Sequence, residues 1–406
     1  MKILSAALRN VGRNRHRTIV TTLAMAFAGL VMIFYVSLMN GMFSMLEKNI
    51  VSMDLGDIQI HAPGYLDDPD LYNRIMGFEK VIGKVEKKGF FASPRLYGYA
   101  LGATERTSSG VVLTGVDPAR EDRVTELYRH ISKGEWLDPK DPGGVVIGSK
   151  LSGILDRGPG DEIVVVGQAS DGSMANEVYH VRGVLKAVGQ AIDSSSLFMT
   201  SGAFRSLMVL PEGVHEIALS RVSKDMDLAQ ATLAARSAAK GLDVKNWREL
   251  RPLVARLFDV SVYSTYFMYI VTYAAIGIVI SNATLMSVFE RIHELGLLKA
   301  LGVGPGRIAA MVFTETIIQA AGAGALAVAA GLPLSLYFEA HGINLTRVVG
   351  SASLYGVAID PVWYSVVTAR SVVEPVIFLI AMVIAGVIYP VVKAARLTPL
   401  EALYYR

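Results

Sequence analysis

Four long runs without a charged residue dominate the hydrophobic pattern of the chain. They cover residues 18–46, 260–289, 316–338 and 375–392. A helix needs about 20 mainly apolar residues to cross a hydrocarbon core of about 30 Å. The pattern therefore predicts four transmembrane helices, at residues 18–46, 260–289, 308–338 and 372–392. One span precedes the interval 47–259 and three follow it, which predicts a one-plus-three arrangement.

The interval 47–259 has the mixed pattern of a folded domain. Residues 57–61 alternate apolar and polar side chains before Pro63 and Gly64, which indicates a strand followed by a turn. Further strands are predicted at 110–115, 144–148, 161–167, 178–184, 215–221 and 242–247, and an alanine-rich helix at 226–240. We therefore predict an α+β membrane protein. Its inserted domain should have an α/β part, residues 54–115 and 214–256, and an all-β insertion, residues 116–213.

Composition and charge agree with this interpretation. Of the 406 residues, 52% are hydrophobic and 18% are charged, and the mean hydropathy is +0.41. Lys and Arg beside membrane spans are retained on the cytoplasmic side. Such bases outnumber the acids Glu290, Glu294 and Glu401 beside the runs; they are Lys2, Arg9, Arg13, Arg15, Arg17, Arg291, Lys299, Arg307, Lys393, Arg396 and Arg406. Residues 1–17, 290–307 and 393–406 are therefore predicted to be cytoplasmic, and 47–259 and 339–371 to lie on the other side.

Three other interpretations fit the sequence less well. The flanking bases account for the net charge of +3, so nucleic-acid binding is a poor interpretation. Ala26-Phe27-Ala28 resembles a signal-peptide cleavage site, but the uncharged run continues past it, which favours an anchor. A membrane enzyme is also a poor interpretation, because the seven histidines lack metal-binding spacing and the sequence contains no HExxH or nucleophile elbow. The absence of cysteine excludes a zinc site built on thiolates.

The loop after the second run has the pattern of a short amphipathic helix. Glu290, Glu294, Leu297 and Leu301 fall on one helical stripe, and Arg291 can pair with Glu294 three residues on. The glycines and proline of the following VGPGR segment should end the helix. Such a helix between two spans suits the docking of a partner; the alternative is a solvated polar connector.

Three motifs resemble one family. ERIHELGLLKALG, which starts at Glu290, resembles the ER-x-x-E-[IL]-G-[IL]-L-K-A-[LI]-G signature of FtsX/MacB/LolC/LolE permeases. The C-terminal segment resembles the family's P-x-x-x-A-A-R-x-x-P-x-E-A-L motif, which is matched by Pro390, Ala394, Ala395, Arg396, Pro399, Glu401, Ala402 and Leu403. Ala7-Leu-Arg-Asn10 followed by Arg13-Asn14 and Arg17-Thr18 resembles the family's amphipathic first helix. With the topology, the resemblance covers essentially the whole chain.

The resemblance implies partners and a mechanism. Permeases of this family work as dimers, here with an identical or a related chain, and with ATPase subunits that bind ATP and Mg; this chain would bind no cofactor. The two parts of the inserted domain resemble the family's Porter and Sabre subdomains. The sequence has no GxxxxGK[ST] motif, which indicates a separate ATPase. Length and layout most resemble LolC and LolE, which implies lipoprotein cargo at the bacterial inner membrane. The alternative is a mechanotransmission or efflux permease of the MacB class.

The resemblance also assigns residues. The coupling segment that contacts the ATPase would comprise Glu290, Arg291, Glu294, Gly296, Leu297, Lys299, Ala300 and Gly302.

An aromatic cluster opens the second span. Together with residues of the first span it could form a wall for acyl chains, since Met and aromatic side chains adapt to variable shapes. The alternative is an aromatic belt at the membrane interface. The candidate lipid or substrate contacts are Met32, Tyr35, Met39, Tyr263, Tyr266, Phe267, Tyr269 and Tyr273, with Phe34 beside them.

Isolated charges and glycines in the spans predict helix contacts. Glu315 and Glu374 should each find a partner or an aqueous face, because a carboxylate that faces lipid is costly. Gly322, Gly324 and Gly331 should permit close helix packing.

Overall fold

The computed structural model describes residues 15–186, 188–223, 226–346, 353–354, 357–358 and 362–398. Most of the predicted first helix, residues 1–14, and the motif residues Pro399, Glu401, Ala402 and Leu403 lie outside the described residues. The chain divides into two compact units. We call them the helical unit, which comprises Met1–Ser44, Phe258–Val348 and Val362–Arg406, and the sheet unit, which comprises Met45–Leu257 and Val349–Pro361.

The described helices are numbered in chain order. They are α1 (Arg15–Ile50), α2 (Phe78–Glu86), α3 (Pro118–Val124), α4 (Ser149–Leu155), α5 (Gln190–Ser195), α6 (Ser201–Leu207), α7 (Leu228–Ala238), α8 (Trp247–Leu250), α9 (Pro252–Glu290), α10 (Ile292–Ala300), α11 (Pro305–His341) and α12 (Ala369–Arg396). A π-helical turn, Val51–Leu55, extends α1, and a 3₁₀ turn covers Leu127–Arg129.

Four helices are long and apolar enough to cross a membrane. They are α1 with its π-helical extension, α9, α11 and α12. Each continues past both ends of the corresponding predicted span, because a charged residue limits the apolar stretch without interrupting the backbone hydrogen bonds. The actual ends carry helix-terminating signals: Pro305 opens α11, and Thr368 and Ser371 form a capping box at α12.

Small residues allow the long helices to approach closely. A Cβ on Gly331 would lie 3.3 Å from Leu30 Cα, and one on Gly324 would lie 3.2 Å from a methyl of Val376. These two glycines therefore serve the predicted packing role. No atom of the described residues lies within 4 Å of the Cβ position of Gly322, so its role stays a prediction. Two closer approaches between long helices were not predicted: a Cβ on Gly29 would lie 2.7 Å from Ala327 Cβ, and one on Gly386 of α12 would lie 2.7 Å from the carbonyl oxygen of Gly277.

The strands are also numbered in chain order. They are β1 (Ile58–His61), β2 (Phe90–Ala103), β3 (Ser108–Val116), β4 (Ile131–Gly134), β5 (Gly144–Ile147), β6 (Glu162–Gln168), β7 (Met174–Leu185), β8 (Ser196–Thr200), β9 (Glu216–Arg221), β10 (Asp243–Asn246), β11 (Ile343–Asn344), β12 (Ser353–Leu354), β13 (Val357–Ala358) and β14 (Val362–Trp363). The last four form two-residue pairs, β11 with β14 and β12 with β13.

Six strands of the sheet unit pair in a closed ring. The order is β2, β3, β8, β5, β7 and β6, and β6 pairs with β2 again from Ala100 opposite Gly167 to Ala103 opposite Val164. The first half of β2 instead pairs with β9, which continues through β1 to β10. The interior of the ring is filled by buried side chains such as Leu113, Val165 and Leu197, as is usual in small barrels.

The structure corrects the prediction for the inserted domain in two respects. Residues 116–213, predicted to be all-β, also contain four short helices, α3 to α6. The longest strand, β2, was not predicted, and it hydrogen-bonds both to β9 and to β6, which were assigned to different parts. The strands of the predicted α/β part and of the predicted insertion therefore share one hydrogen-bonded network.

A fully buried charge cluster lies beside the first half of β2. Arg95 is 2.6 Å from Glu121 of α3 and 2.9 Å from Glu216 of β9. It also donates to the backbone oxygen of Asp54, at 2.7 Å. Burial would raise the pKa of Glu121, but the charge of Arg95 and hydrogen bonds from Arg95, Ser93 and Thr125 outweigh it and hold the pKa below its ordinary value.

His215 is a second buried titratable residue, and it precedes Glu216 of this cluster in the sequence. Its Nδ1 accepts the backbone N–H of Tyr97 at 2.9 Å. Nε2 therefore carries the proton and donates to the backbone oxygen of Leu71 at 3.3 Å. Burial lowers the pKa of His215 to about 4, because no solvent stabilises the imidazolium.

We expect the sheet unit to lose about 2 kcal/mol of stability through His215 when the pH falls from 7 to 5. The unfolded chain takes up a proton near pH 6.5, whereas the folded chain stays neutral until about pH 4. Stability contributed by the neutral imidazole is therefore present above pH 6.5 and declines below it. Thermal unfolding at several pH values measures this. His215→Asn, which keeps an acceptor for Tyr97, should flatten the dependence of stability on pH, and His293→Asn should not. The same dependence on pH in the unmodified protein and both variants would contradict the assignment.

Candidate functional site

The short helix α10 presents one exposed face and one buried face. Leu297 and Leu301 are 58% and 74% exposed, and the exposed face also includes His293, Glu294 and Ala300. On the other face, Ile292, Leu295 and Gly296 are buried, beside a cluster formed by Val288, Ile308, Met311, Val312 and Ala394. The predicted stripe of Glu294, Leu297 and Leu301 is therefore exposed in the structure.

The helix ends where the sequence predicts. Its last residue is Ala300, and Gly302 has a φ of +88°, a conformation that glycine adopts without a steric penalty. The N–H groups of Gly302 and Val303 bond to the carbonyls of Lys299 and Leu298. Pro305 then begins α11.

Arg291 links the exposed face of α10 to the long helix α11. Its Nε lies 3.4 Å from Glu294 Oε2, which is the pairing predicted from the sequence. Its Nη1 lies 3.2 Å from Glu315 Oε2, and both side chains of this second pair are only 13% exposed. Glu315 thus has the partner that its position predicted. A movement of Glu294 can reach α11 through a single guanidinium group.

A further ion pair joins the end of α9 to α1. Arg17 Nη1 lies 2.6 Å from Glu290 Oε2. Arg17, Arg291 and Glu315 also line a small polar cavity, together with Thr284, Ser287, Thr316 and Gln319. The start of α1, the α9–α10 corner and the part of α11 around Glu315 therefore share one polar cluster. In the sequence Arg17 is a topology signal and part of the first-helix motif, and nothing in its local pattern points to Glu290.

Lys299 lies on the inner side of α10. Its Nζ donates to the backbone oxygens of Ala395 and Leu397, at 2.6 and 2.5 Å. These carbonyls stand at the C-terminal end of α12, where a cation is favourable. Among the predicted coupling residues, Glu290, Glu294, Leu297 and Ala300 are exposed, Gly302 forms the turn, and Arg291, Gly296 and Lys299 face the chain's own helices.

The predicted lipid-contact residues fall into two groups. Met32, Tyr269 and Tyr273 are at most 1% exposed and belong to the core between the long helices. Tyr269 stacks on Phe378 of α12, with 4.7 Å between the ring centroids. These three side chains are packed inside the described chain, which is contrary to an exposed acyl-chain wall or an interfacial belt.

The other members of that set lie at or near the surface. Tyr263 and Phe267 are 74% and 64% exposed, and Tyr35 and Tyr266 pack partly against the core. Met39 and Tyr266 line a groove between α1, α9 and α12. There Arg370 donates to the Tyr266 hydroxyl at 2.9 Å and pairs with Glu374 at 2.6 Å, so Glu374 also has a partner.

Two family profiles match the chain. The MacB-like periplasmic core domain matches residues 18–238. The FtsX-like permease C-terminal domain matches residues 266–399, which include α10 and its flanking helices. The chain belongs to the FtsX/MacB/LolE type of ABC transporter permease. Family members work with ATPase subunits.

The chain is also similar to individual proteins. The permease is 22% identical to an uncharacterized ABC transporter permease of Methanocaldococcus jannaschii, over 99% of this chain and 97% of that protein. It is 23% identical to the lipoprotein-releasing system transmembrane protein LolE of Haemophilus influenzae, over 72% of each chain. The crystal structure of the periplasmic region of MacB from Actinobacillus actinomycetemcomitans aligns with 51% of the permease and 94% of that region, with 12% identity and a TM-score of 0.36.

Proposed function

We propose that this permease couples ATP hydrolysis by a separate ATPase subunit to motion of the sheet unit. The observation that carries the proposal is the geometry of α10. Its outer face exposes Glu294 and two leucines, while Arg291 and Lys299 tie its inner side to α11 and α12. A partner that pushes on this face acts directly on both helices.

The proposal includes an orientation and a location for the permease. The basic residues of the α10 loop, such as Lys299 and Arg307, favour the cytoplasmic side under the positive-inside rule. We propose that the sheet unit lies in the periplasm and that the permease spans a bacterial inner membrane. We also propose that it works as a dimer with a second permease copy, as the family resemblance implies.

Exchange of the charge on the exposed face tests the docking role. In Glu294→Lys, and separately in Leu297→Asp, we expect co-purification of the ATPase to fall at least about tenfold, which corresponds to about 1.4 kcal/mol. Leu253→Asp, a substitution of an exposed leucine at the opposite end of α9, should retain the ATPase. Normal membrane insertion with undiminished ATPase binding in both α10 variants would contradict the docking role.

We further propose lipoproteins as the cargo, which the likeness to LolE supports. The second candidate is force transmission or efflux of the MacB type, supported by the match to the MacB-like core domain. A photo-crosslinking amino acid at the exposed positions Tyr263 and Phe267 distinguishes them, with the buried Tyr273 as the control. Acylated proteins captured at the exposed positions support release. An active complex that captures none supports the second candidate.

A further inference from the structure

The sheet unit contains a cavity that none of the residues discussed so far explains. Its volume is about 510 Å³, within the range of small-molecule sites. One wall is the end of α1 with its π-helical extension, residues 49–55, and the other is the segment 188–194, which includes most of α5. Arg251, the residue before α9, completes the lining. No predicted lipid-contact residue takes part.

The lining is mainly apolar, with a single basic side chain. The apolar lining residues are Ile50, Met53, Leu55, Val188, Ala191 and Ile192. The polar groups include Asn49, Gln190 and Ser194, together with the Arg251–Asp54 ion pair. Apolar walls with a few polar groups suit a ligand that has an apolar chain and a polar end.

Arg251 is placed to bind such a polar end. Its side chain is 50% exposed, and its Nη2 lies 3.2 Å from Asp54 Oδ2. A guanidinium group has five N–H donors in a planar fork that matches phosphate oxygens. It can therefore hold Asp54 and a phosphate together, and Asp54 can in turn receive a cationic group.

The position of the cavity along α1 indicates a ligand from the membrane. The uncharged run of α1 ends at Leu46, and the first lining residue is Asn49. At about 1.5 Å per residue the lining begins roughly 5 Å beyond the end of the run. The headgroup layer of a bilayer extends about 5–8 Å beyond each side of the hydrocarbon core. With α1 as a membrane span, the first lining residues, Asn49 and Ile50, are at headgroup level.

We propose that this cavity holds one acyl chain of a membrane phospholipid, with the lipid phosphate at Arg251. The proposal rests on α1 as a membrane span and is independent of the coupling role of α10. The ligand would anchor the end of α1 against the segment 188–194 of the sheet unit. It would be a resident lipid, distinct from transported cargo.

A photoactivatable lipid tests the proposal in the full-length permease. The protein is reconstituted without cargo in phosphatidylcholine vesicles that contain a trace of phosphatidylglycerol with a diazirine on its acyl chain. After irradiation, mass spectrometry maps the labelled peptides. We expect labelling of residues 49–55 and 188–192 at least fivefold above that of Val178, an exposed residue of β7. Equal labelling of these peptides and Val178 would overturn the proposal.

Two variants separate the cavity from general contact with lipid. Ala191→Trp fills the cavity, and Arg251→Gln removes the phosphate ligand; each should lower labelling of the cavity peptides at least threefold. Labelling of Ile270 and Val271, which are exposed on α9, is the internal control and should not change. Arg251→Lys should restore part of the labelling. Unchanged cavity labelling in both Ala191→Trp and Arg251→Gln would refute the site.

A third measurement identifies the source of the acyl chain. Addition of an acylated lipoprotein should leave the labelling of the cavity unchanged, and displacement of the photolipid would instead make the cavity a cargo site and overturn the resident-lipid assignment. ATPase co-purification with Ala191→Trp should match that of the unmodified permease. Failure of the lipid proposal is thereby distinguishable from failure of the coupling proposal.

Discussion

Replacement of Arg95 by methionine should destabilise the sheet unit by about 3–5 kcal/mol, enough to unfold many domains. The substitution leaves two carboxylates, Glu121 and Glu216, that are 1% and 5% exposed and have lost their shared cation. It also removes the donor to the backbone oxygen of Asp54, at the π-helical end of α1. An uncompensated buried charge costs far more than the loss of an exposed ion pair.

The matched control is Arg120, which precedes Glu121 on α3. Arg120 also contacts carboxylates, Glu79 and Glu86, but these partners are exposed to solvent. Arg120→Met should therefore change stability by less than about 1 kcal/mol. Thermal or denaturant unfolding of the two variants measures the difference. Similar small losses in both would show that the buried cluster contributes no more than a surface pair.

The charge of the buried carboxylates gives a second test. In Arg95→Met with both Glu121→Gln and Glu216→Gln, no buried charge is left unpaired, so part of the lost stability should return. Because the pKa of Glu121 is lowered in the folded state, its contribution is present above the ordinary carboxyl pKa and declines as the pH falls below it. Compared with the unmodified protein, the triple variant should lack the part of the pH dependence of stability that Glu121 contributes. Unfolding curves at several pH values measure this difference.

Replacement of Arg291 by methionine should weaken coupling strongly while the ATPase remains bound. The side chain removed is the link between Glu294 on the exposed face and Glu315 in α11. Coupling energies between distant sites are typically 1–3 kcal/mol, or about 5–150-fold. We therefore expect permease-dependent ATP hydrolysis to fall at least about tenfold, with co-purification of the ATPase within about twofold.

Two comparisons make the Arg291 result specific. Arg307→Met changes an exposed base in the first turn of α11 and should leave ATP hydrolysis unchanged. The charge exchange Arg291→Glu with Glu315→Arg restores an ion pair across the same 3.2 Å contact and should recover part of the activity. If Arg291→Met releases the ATPase instead, Arg291 belongs to the docking surface. Full activity in Arg291→Met would rule out this link as the route of coupling.

The candidate site was predictable where its contacts are local. The stripe of α10 and the pair of Arg291 with Glu294 follow from the helical repeat, which relates residues three or four apart. The contacts of Lys299 with the end of α12 and of Arg17 with Glu290 join residues 96 to 98 and 273 positions apart. No pattern in the sequence specifies such pairs, because they depend on how the long helices pack.

The aromatic cluster of α9 shows a different limit. Hydropathy locates the span, but a helix that is apolar on all sides gives no sign of which face meets its neighbours. Tyr269 and Tyr273 are four residues apart and face the helix core, whereas Tyr263 and Phe267 face outward. The four-residue spacing within each pair was the available signal, and it could group the residues but not orient the groups.

In the sheet unit the missing prediction was the central strand. Pro94, Gly98 and Gly102 interrupt β2 and weaken its strand pattern. The ring depends on β2, since both of its long edges are paired over different lengths with β9, β6 and β3. The neighbouring strands β3 and β6 were predicted because each contains an uninterrupted apolar run, VVL in β3 and IVVV in β6.

Closure of the strand ring restricts how another protein can attach to the sheet unit. Within the described sheet, the end strands of the pairing order are β10 and β4. Both are four residues long and carry lysine, features that discourage the addition of a foreign strand. A protein partner would therefore have to recognise side chains on the ring's outer surface rather than extend its backbone ladder. Partner choice could then change through a few surface substitutions while the barrel itself stays intact.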